Sequence, residues 1–385
     1  MKKLERLAAY IEAVANQDTA VETYKDYEED ILSVHASELF DLFYQRLQQG
    51  DKEETILTYL DKLMHVFYQS LKHRMVTLPV DSFLDHLDQE NKQLIKRLEA
   101  IKQLLKKQDL LESKDILLKQ FLELTHFNDH YVKKENILFP YLEKKDEKFK
   151  GVSIMWSLHD QTRKSLKEVC EQLQQNPLDE KLTKQAIGRY FFDAYGLIQK
   201  EEAILFVVTI ETCSINELEH MREQSFDYEF CFIKKPEYQE VERLHVASDQ
   251  WSFQTETGHL THEQLMLFIN SLPMDCTIID EHNKVVFYNK PTDRLFPRSP
   301  AIIGRDVINC HPAESVDIVN QIIDAFKENK KDVATFWIDF KDRKLLIQYF
   351  ALRDSLNTYK GTIEVSQDIT EIQQIKGQRR LLDWD

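Results

Sequence analysis

HFNDHYVKKENILFPYLE, residues 126–143, decides how this chain is read. His126 and His130 stand one helical turn apart, so they project from one side of a helix. A charged turn carrying Glu135 follows. The apolar block Ile137-Leu138-Phe139-Pro140 comes next and would anchor that helix end in a core. Imidazole and carboxylate groups projecting into a bundle are the donors with which helical proteins hold iron or manganese. A solvated helix with two incidental histidines carries the same local pattern, so the surrounding chain has to separate the two readings.

Working outward, the spacing of apolar residues predicts a helix over 82–107, with Phe83, Leu84, Leu87, Leu94 and Leu98 inward. His86 and Glu90 lie one turn apart on it. A second helix over 110–134 carries the opening stretch at its end. A third covers 156–174 with His159 near its start, and a fourth covers 182–212. Four helices of roughly twenty residues joined by short loops describe an antiparallel bundle. An internal repeat supports it. KKENILFPYLE (133–143) and QKEEAILFVVTIE (199–211) each place an acid three positions before a Leu-Phe pair: Glu135 before Leu138-Phe139, Glu202 before Leu205-Phe206. Each helix therefore offers polar ligand atoms. The candidate metal set is His86, Glu90, His126, His130, Glu135, His159, Glu201 and Glu202.

Residues 1–76 read as helix after helix, with His35 and His65 as packed or interfacial side chains. Thr77-Leu78-Pro79 marks a boundary, because proline disfavours helix in the residue before it. From about residue 225 the periodicity changes. FDYEFCFI (226–233) reads as a strand ended by Lys234-Lys235-Pro236, and a charged connector runs to Gly258. CTIID (276–280) and KVVFYN (284–289) read as a hairpin, and helical pieces occupy 290–328. The strands ATFWIDF (334–340), KLLIQYFALR (344–353) and KGTIEVSQDIT (360–370) follow. The expected fold class is mainly α with a C-terminal α+β domain built on a five-stranded antiparallel sheet.

Composition narrows the function classes. The chain has 385 residues and a formal charge of −16, which argues against a nucleic-acid binder. Eight glycines and nine prolines fit long helices with few loops. The five scattered cysteines form no CxxC pair, so neither a disulfide framework nor a zinc ribbon is implied. There is no apolar run of about 18 residues and no signal-peptide pattern, so a reduced cytoplasm is the expected location, with no membrane span. No nucleophile triad, phosphate loop or Rossmann glycine pattern occurs, and catalysis is not the leading expectation.

The middle of the chain resembles the hemerythrin-type HHE cation-binding domain. That pattern has a histidine, three residues, two acids, two residues and Leu-Phe-Pro, used twice, with Glu-His-x-x-Leu-Arg on alternate helices. His130 and Leu138-Phe139-Pro140 are in register with it, and Leu158-His159-Asp160-Gln161-Thr162-Arg163 is similar to the third-helix signature. The C-terminal part, through RLFPRSPAIIGRDVINCHPAESV (294–316) and the Asp368-Ile369-Thr370 ending, resembles a PAS domain. HASELFDLFYQRLQQG (35–50) resembles the uncharacterised helical domain found before such pairs. The resemblance implies five segments: an N-terminal helical domain (1–76), an HHE four-helix bundle (77–220), a connector with a short strand (221–258), a PAS domain (259–372) and a helical tail (373–385). The chain also departs from the pattern. Lys134 stands four residues after His130, where a bridging carboxylate belongs, and the acid follows at Glu135. In the second repeat Leu197 replaces the histidine and Val207 the proline. Near the first-helix signature stands Glu90-Asn91, with His86 a turn earlier.

The resemblance implies a sensory protein. In it the bundle holds non-haem iron, as one ion or a diiron centre, and answers oxygen, nitric oxide, redox state or iron supply. A PAS domain coupled to it would sense a second ligand or pass the signal on. A second expectation is haem in the PAS pocket, with Cys310 and His311 as candidate axial ligands beside Trp337, Tyr349 and Arg353. A third is a diiron enzyme reducing oxygen, peroxide or nitric oxide, and a fourth is an interaction module with a relic metal site. The expected partners are a diatomic gas or small molecule, an unidentified protein, and a second copy through the PAS domain or the N-terminal helices.

Overall fold

Apolar residues at spacings of three and four wind most of the described residues before residue 226 into helices that share one core. The computed structural model describes residues 2–16, 20–237, 251–255, 258–311 and 313–378. The chain divides into two compact units, Met1–Tyr238 and Gln239–Asp385. In the first unit, α1 (Lys3–Ala15), α2 (Ala20–Leu32), α3 (Ala36–Gln48) and α4 (Glu53–Lys72) precede the bundle. The bundle begins with α5 (Phe83–Lys107), capped by the Ser82 hydroxyl, which accepts from the Asp85 N–H at 3.1 Å. It continues with α6 (Leu110–Leu124), α7 (Asn128–Lys133), α8 (Phe139–Glu143), α9 (Ser153–Gln174), α10 (Glu180–Lys200) and α11 (Phe206–Thr212). Leu7, Leu63 and Phe67 of the first four helices belong to the same buried cluster as Leu94, Phe121, Phe139 and Val208 of the bundle. Lys200, almost fully buried, reaches from α10 to Asp61 of α4 at 2.6 Å.

Both copies of the internal repeat change helical pitch at the same place. Lys134–Leu138, between α7 and α8, and Glu201–Leu205, between α10 and α11, are single π-helical turns. At 3.6 residues per turn, three successive side chains fan over about 200°, and they cannot all face a core. The wider π turn relaxes that limit, and such turns cluster at functional positions. Lys133, Lys134 and Glu135 are accordingly all buried, with 1%, 0% and 4% of their surface exposed.

After α12 (Ile215–Ser225) the chain does not form the strand expected over 226–233; it folds into turns. A strand needs a ladder partner. Here the Cys231 N–H is taken instead by the Glu90 carboxylate at 2.7 Å. Phe230 packs edge-on to His86 at 5.5 Å and Phe232 stacks on Phe127 at 5.9 Å, so the segment lies against α5 and the start of α7. The apolar alternation came from these packed side chains.

In the second unit β1 (Trp251–Thr255), which falls in the expected connector, pairs antiparallel with β2 (Gly258–Thr261), and α13 (His262–Asn270) follows. The main sheet contains β3 (Asp275–Asp280), β4 (Val285–Tyr288), β5 (Val333–Phe340), β6 (Arg343–Arg353) and β7 (Tyr359–Asp368), in the order β4-β3-β7-β6-β5, all antiparallel. The five-stranded sheet of the sequence reading is present, with its β3–β4 hairpin pairing Ile278 with Phe287. α14 (Ala313–Lys327) supplies Val319 and Ile323 to a small core with Ile279, Val285, Ile302 and Val307. After Thr370 the described residues make one short 3₁₀ turn, Ile372–Gln374, instead of the expected helix; residues 379–385 lie outside those described. Among the described residues no helix is long and apolar enough to cross a membrane.

Gly361 sets how closely β3 and β7 approach. Its φ is +147°, and a Cβ there would lie 2.1 Å from the Ile279 carbonyl oxygen. Gly361→Ala should destabilise this unit by about 1–3 kcal/mol through backbone strain. Calorimetry should read this as a melting transition lowered by several degrees; an unchanged transition would mean the strands do not meet so tightly.

Candidate functional site

Burial of charged side chains picks out the centre of the bundle. Glu90 of α5 and Glu201 at the α10–π junction are fully buried and face one another across His130 of α7. The ring Nδ1 lies 2.8 Å from one Glu90 oxygen, and Nε2 lies 3.1 Å from a Glu201 oxygen. Each ring nitrogen thus faces one carboxylate oxygen. Each carboxylate also carries its own cation: Lys133 Nζ donates to Glu90 and Lys134 Nζ to Glu201. Asn91 donates its side-chain amide to Glu201 at 2.8 Å, and the Cys231 N–H completes Glu90. The two ammonium groups also lie against aromatic faces, Lys133 4.6 Å from the Phe230 centroid and Lys134 5.1 Å from that of Tyr131.

A second half adjoins it. His159 of α9 lies between the rings of Tyr131, at 4.8 Å, and Phe139, at 5.7 Å. Its Nδ1 donates to Glu135 at 2.7 Å, and Arg163 holds the same carboxylate at 2.9 Å. His159 Nε2 is buried with no protein partner.

These contacts explain the electrostatics. Burial pushes the Glu90 carboxyl up, but the His130 hydrogen bond and the Lys133 charge outweigh it and hold it below the ordinary range. Burial acts likewise on Glu201, where Lys134 and His130 prevail and hold the carboxyl low. Burial also drives Lys134 down, with Glu201 opposing. His159 is pushed well below its usual value by burial and by the nearby Lys134 and Arg163 charges, so it is neutral.

Five of the eight candidate ligands therefore come together: Glu90, His130, Glu135, His159 and Glu201. His86 is buried but turned to Asp81, its Nε2 at 2.8 Å, and Asp81 is in turn paired with Arg222. His126 is exposed on a short 3₁₀ turn, Thr125–Phe127, which breaks the straight helix that its pairing with His130 assumed. Glu202 is half-buried beside Asp88 and Lys92; burial and Asp88 push its carboxyl up. The sequence reading missed Asn91, Lys133 and Arg163 as members of the cluster, and treated Lys134 only as a departure. A lysine pair inside an apolar stretch was the available signal, since lysine is almost never fully buried unless paired.

A metal ion does not fit this arrangement. The positions beside Glu90 and Glu201 that a cation would take are filled by ammonium groups. The three buried carboxylates Glu90, Glu135 and Glu201 already meet three cations, Lys133, Lys134 and Arg163. Among the described residues no group of three or more His, Cys, Asp or Glu side chains is placed to hold a metal ion.

The second unit contains a separate cavity of about 30 Å³ between the sheet and α14. Ile279, Val285, Val319 and Ile323 line its apolar side, and Arg298, His311, Tyr349 and Glu364 its polar side. Cys310 and His311, the candidate cofactor ligands, both border it. The Cys310 thiol points at the Asp306 carbonyl at 3.7 Å. His311 Nδ1 donates to the Val307 carbonyl at 2.8 Å, which leaves a lone pair on Nε2. Burial pushes the ring's pKa down, with the Val307 contact opposing, and burial with Glu364 pushes the Tyr349 phenol up. Trp337 is largely exposed on β5, away from the lining; Arg353 is bound to Asp332 at 2.8 Å.

Comparison with known proteins separates the same two units. Residues 82–208 match the model of the Hemerythrin HHE cation binding domain, and residues 265–370 match that of a PAS domain. No curated protein matches the chain. Among solved structures, a C-terminal domain from Streptococcus mutans is 26% identical, with a TM-score of 0.31 over 32% of this chain and 96% of that one. A sensory box sensor histidine kinase from Vibrio cholerae is 15% identical, at 0.22 over 28% and 89%. The PAS domain of a protein from Colwellia psychrerythraea is 17% identical, at 0.23 over 28% and 97%.

Proposed function

Because the chain carries a hemerythrin HHE domain over residues 82–208 and a PAS domain over residues 265–370, we propose that it is a sensory protein whose ligand site is the PAS cavity. One observation carries the reading: a mainly apolar space bordered on one side by Arg298, His311, Tyr349 and Glu364. Ligand sites are mostly apolar concavities with a few converging polar groups. The lining suits a small molecule with one polar and one apolar end, and at about 30 Å³ the cavity would have to widen to admit it. Non-haem iron answering oxygen or nitric oxide draws no support from the bundle, where lysines hold the carboxylates.

Haem is a second reading, favoured by the His311 Nδ1 contact that leaves Nε2 able to ligate iron. At about 30 Å³ the cavity would have to open considerably to admit it.

The test is to denature the purified full chain and identify what it releases by mass spectrometry, beside an Ile323→Trp variant that fills the cavity. A stoichiometric compound released by the wild type and absent from the variant is the expected result. Equal release from both, or none from either, would remove the cavity as the ligand site. Titration with haem is the second arm: an intense visible band lost in His311→Ala would favour haem over the smaller ligand.

A further inference from the structure

We infer that Lys133 and Lys134 are built-in replacements for bound cations, so that this bundle assembles without metal and becomes a divalent-cation site once both ammonium groups are removed. This goes beyond the PAS reading and is independent of it.

Two fully buried carboxylates, Glu90 and Glu201, flank His130, and uncompensated burial of either would be prohibitive. Some positive charge must stand beside each. The junction of α7 and the π turn delivers it from the chain itself: Lys133 ends α7, Lys134 opens the π turn, and both reach the same interior, one ammonium on each carboxylate. Lys134 stands where the resemblance places a carboxylate, so the substitution inverts a charge at the centre of the cluster. A divalent ion added to the wild-type cluster would meet filled positions and an already balanced set of charges.

The remaining groups are metal donors. Glu90 and Glu201 each contact His130, one at either ring nitrogen, and His159 Nε2 is a buried lone pair with no protein partner. Hard carboxylate with imidazole suits manganese, iron or zinc. Taking away both lysines leaves a negative, imidazole-bearing cavity that a divalent cation would stabilise by mass action.

The experiment compares the full chain with its Lys133→Ala/Lys134→Ala variant, using Mn²⁺ alone as probe. The wild type is expected to contain no stoichiometric metal and to melt at the same temperature with chelator or with Mn²⁺. The double variant is expected to melt lower in chelator, to recover several degrees with Mn²⁺, and to bind it in calorimetry, with binding lost when Glu201→Gln is added. If the double variant does not fold, Lys134→Gln, which keeps Lys133, is expected to show a smaller Mn²⁺-dependent rise of the same sign. Stoichiometric metal in the wild type whose removal lowers its melting temperature would overturn the inference. So would lysine variants whose stability ignores Mn²⁺.

Discussion

The Glu201→Ala variant is expected to lose about 3–5 kcal/mol of bundle stability, the cost of removing one partner from a buried charge pair. Glu201 is the acceptor for Lys134, for Asn91 and for the Nε2 side of His130. Truncation leaves a fully buried ammonium without its counter-charge and an amide without its acceptor. Loss of the pair as a whole is a different matter, because replacing a buried ion pair by apolar groups of similar shape is often nearly neutral. The double variant Glu201→Leu/Lys134→Met should therefore recover most of what Glu201→Ala loses. Urea unfolding followed by far-ultraviolet circular dichroism reads both, since the helices lie mainly in the first unit. A Glu201→Ala midpoint within about 0.5 kcal/mol of wild type, the ordinary range for surface substitutions, would mean that the pair is solvated.

Acid should unfold the bundle in two stages. His159 is held well below the usual histidine value, so the unfolded chain takes up this proton first. Its contribution is complete above about pH 6.5, the unfolded value, and declines as the pH falls below it. Glu90 and Glu201 are also held low, and their contribution is present above the unfolded carboxylate value of about 4.3. It is lost as the pH falls through the lower folded values. Stability should accordingly decline gently from about pH 6.5 and steeply below about pH 4. His159→Phe should remove the gentle stage and leave the steep one. A wild-type curve flat to about pH 4.5 would contradict the neutral, buried state of His159.

The helical bundle was legible because its apolar spacing and its repeat are local features. Glu90, His130, Glu135, His159 and Glu201 were legible as a group because donor types and register pointed inward. What misled was the assumption of uniform pitch. It put Glu135 about 100° away from Lys134, and so hid the fact that both enter the core. It also kept His126 on a straight helix with His130, where a 3₁₀ turn intervenes. The segment 226–233 failed for another reason. Alternating aromatic residues report burial on one side, and a packed run of turns meets that requirement as well as a strand does.

By itself, the sequence determined the class of each half of this protein. Periods of 3.6 and 2 are properties of neighbouring residues, and they separate helices from strands without knowledge of what packs where. It also determined that acids and histidines recur at the bundle's centre. Only the tertiary structure decided what balances them. Glu90 and Glu201 lie more than a hundred residues apart, and the partner of each is set by which ammonium, ring or backbone amide the packing brings within hydrogen-bond reach. Lys133 at the end of α7 and Lys134 at the start of the π turn made those partners lysines of the chain's own. Charge pairing in a core depends on distances of a few ångströms between remote residues, and linear spacing carries no such distance.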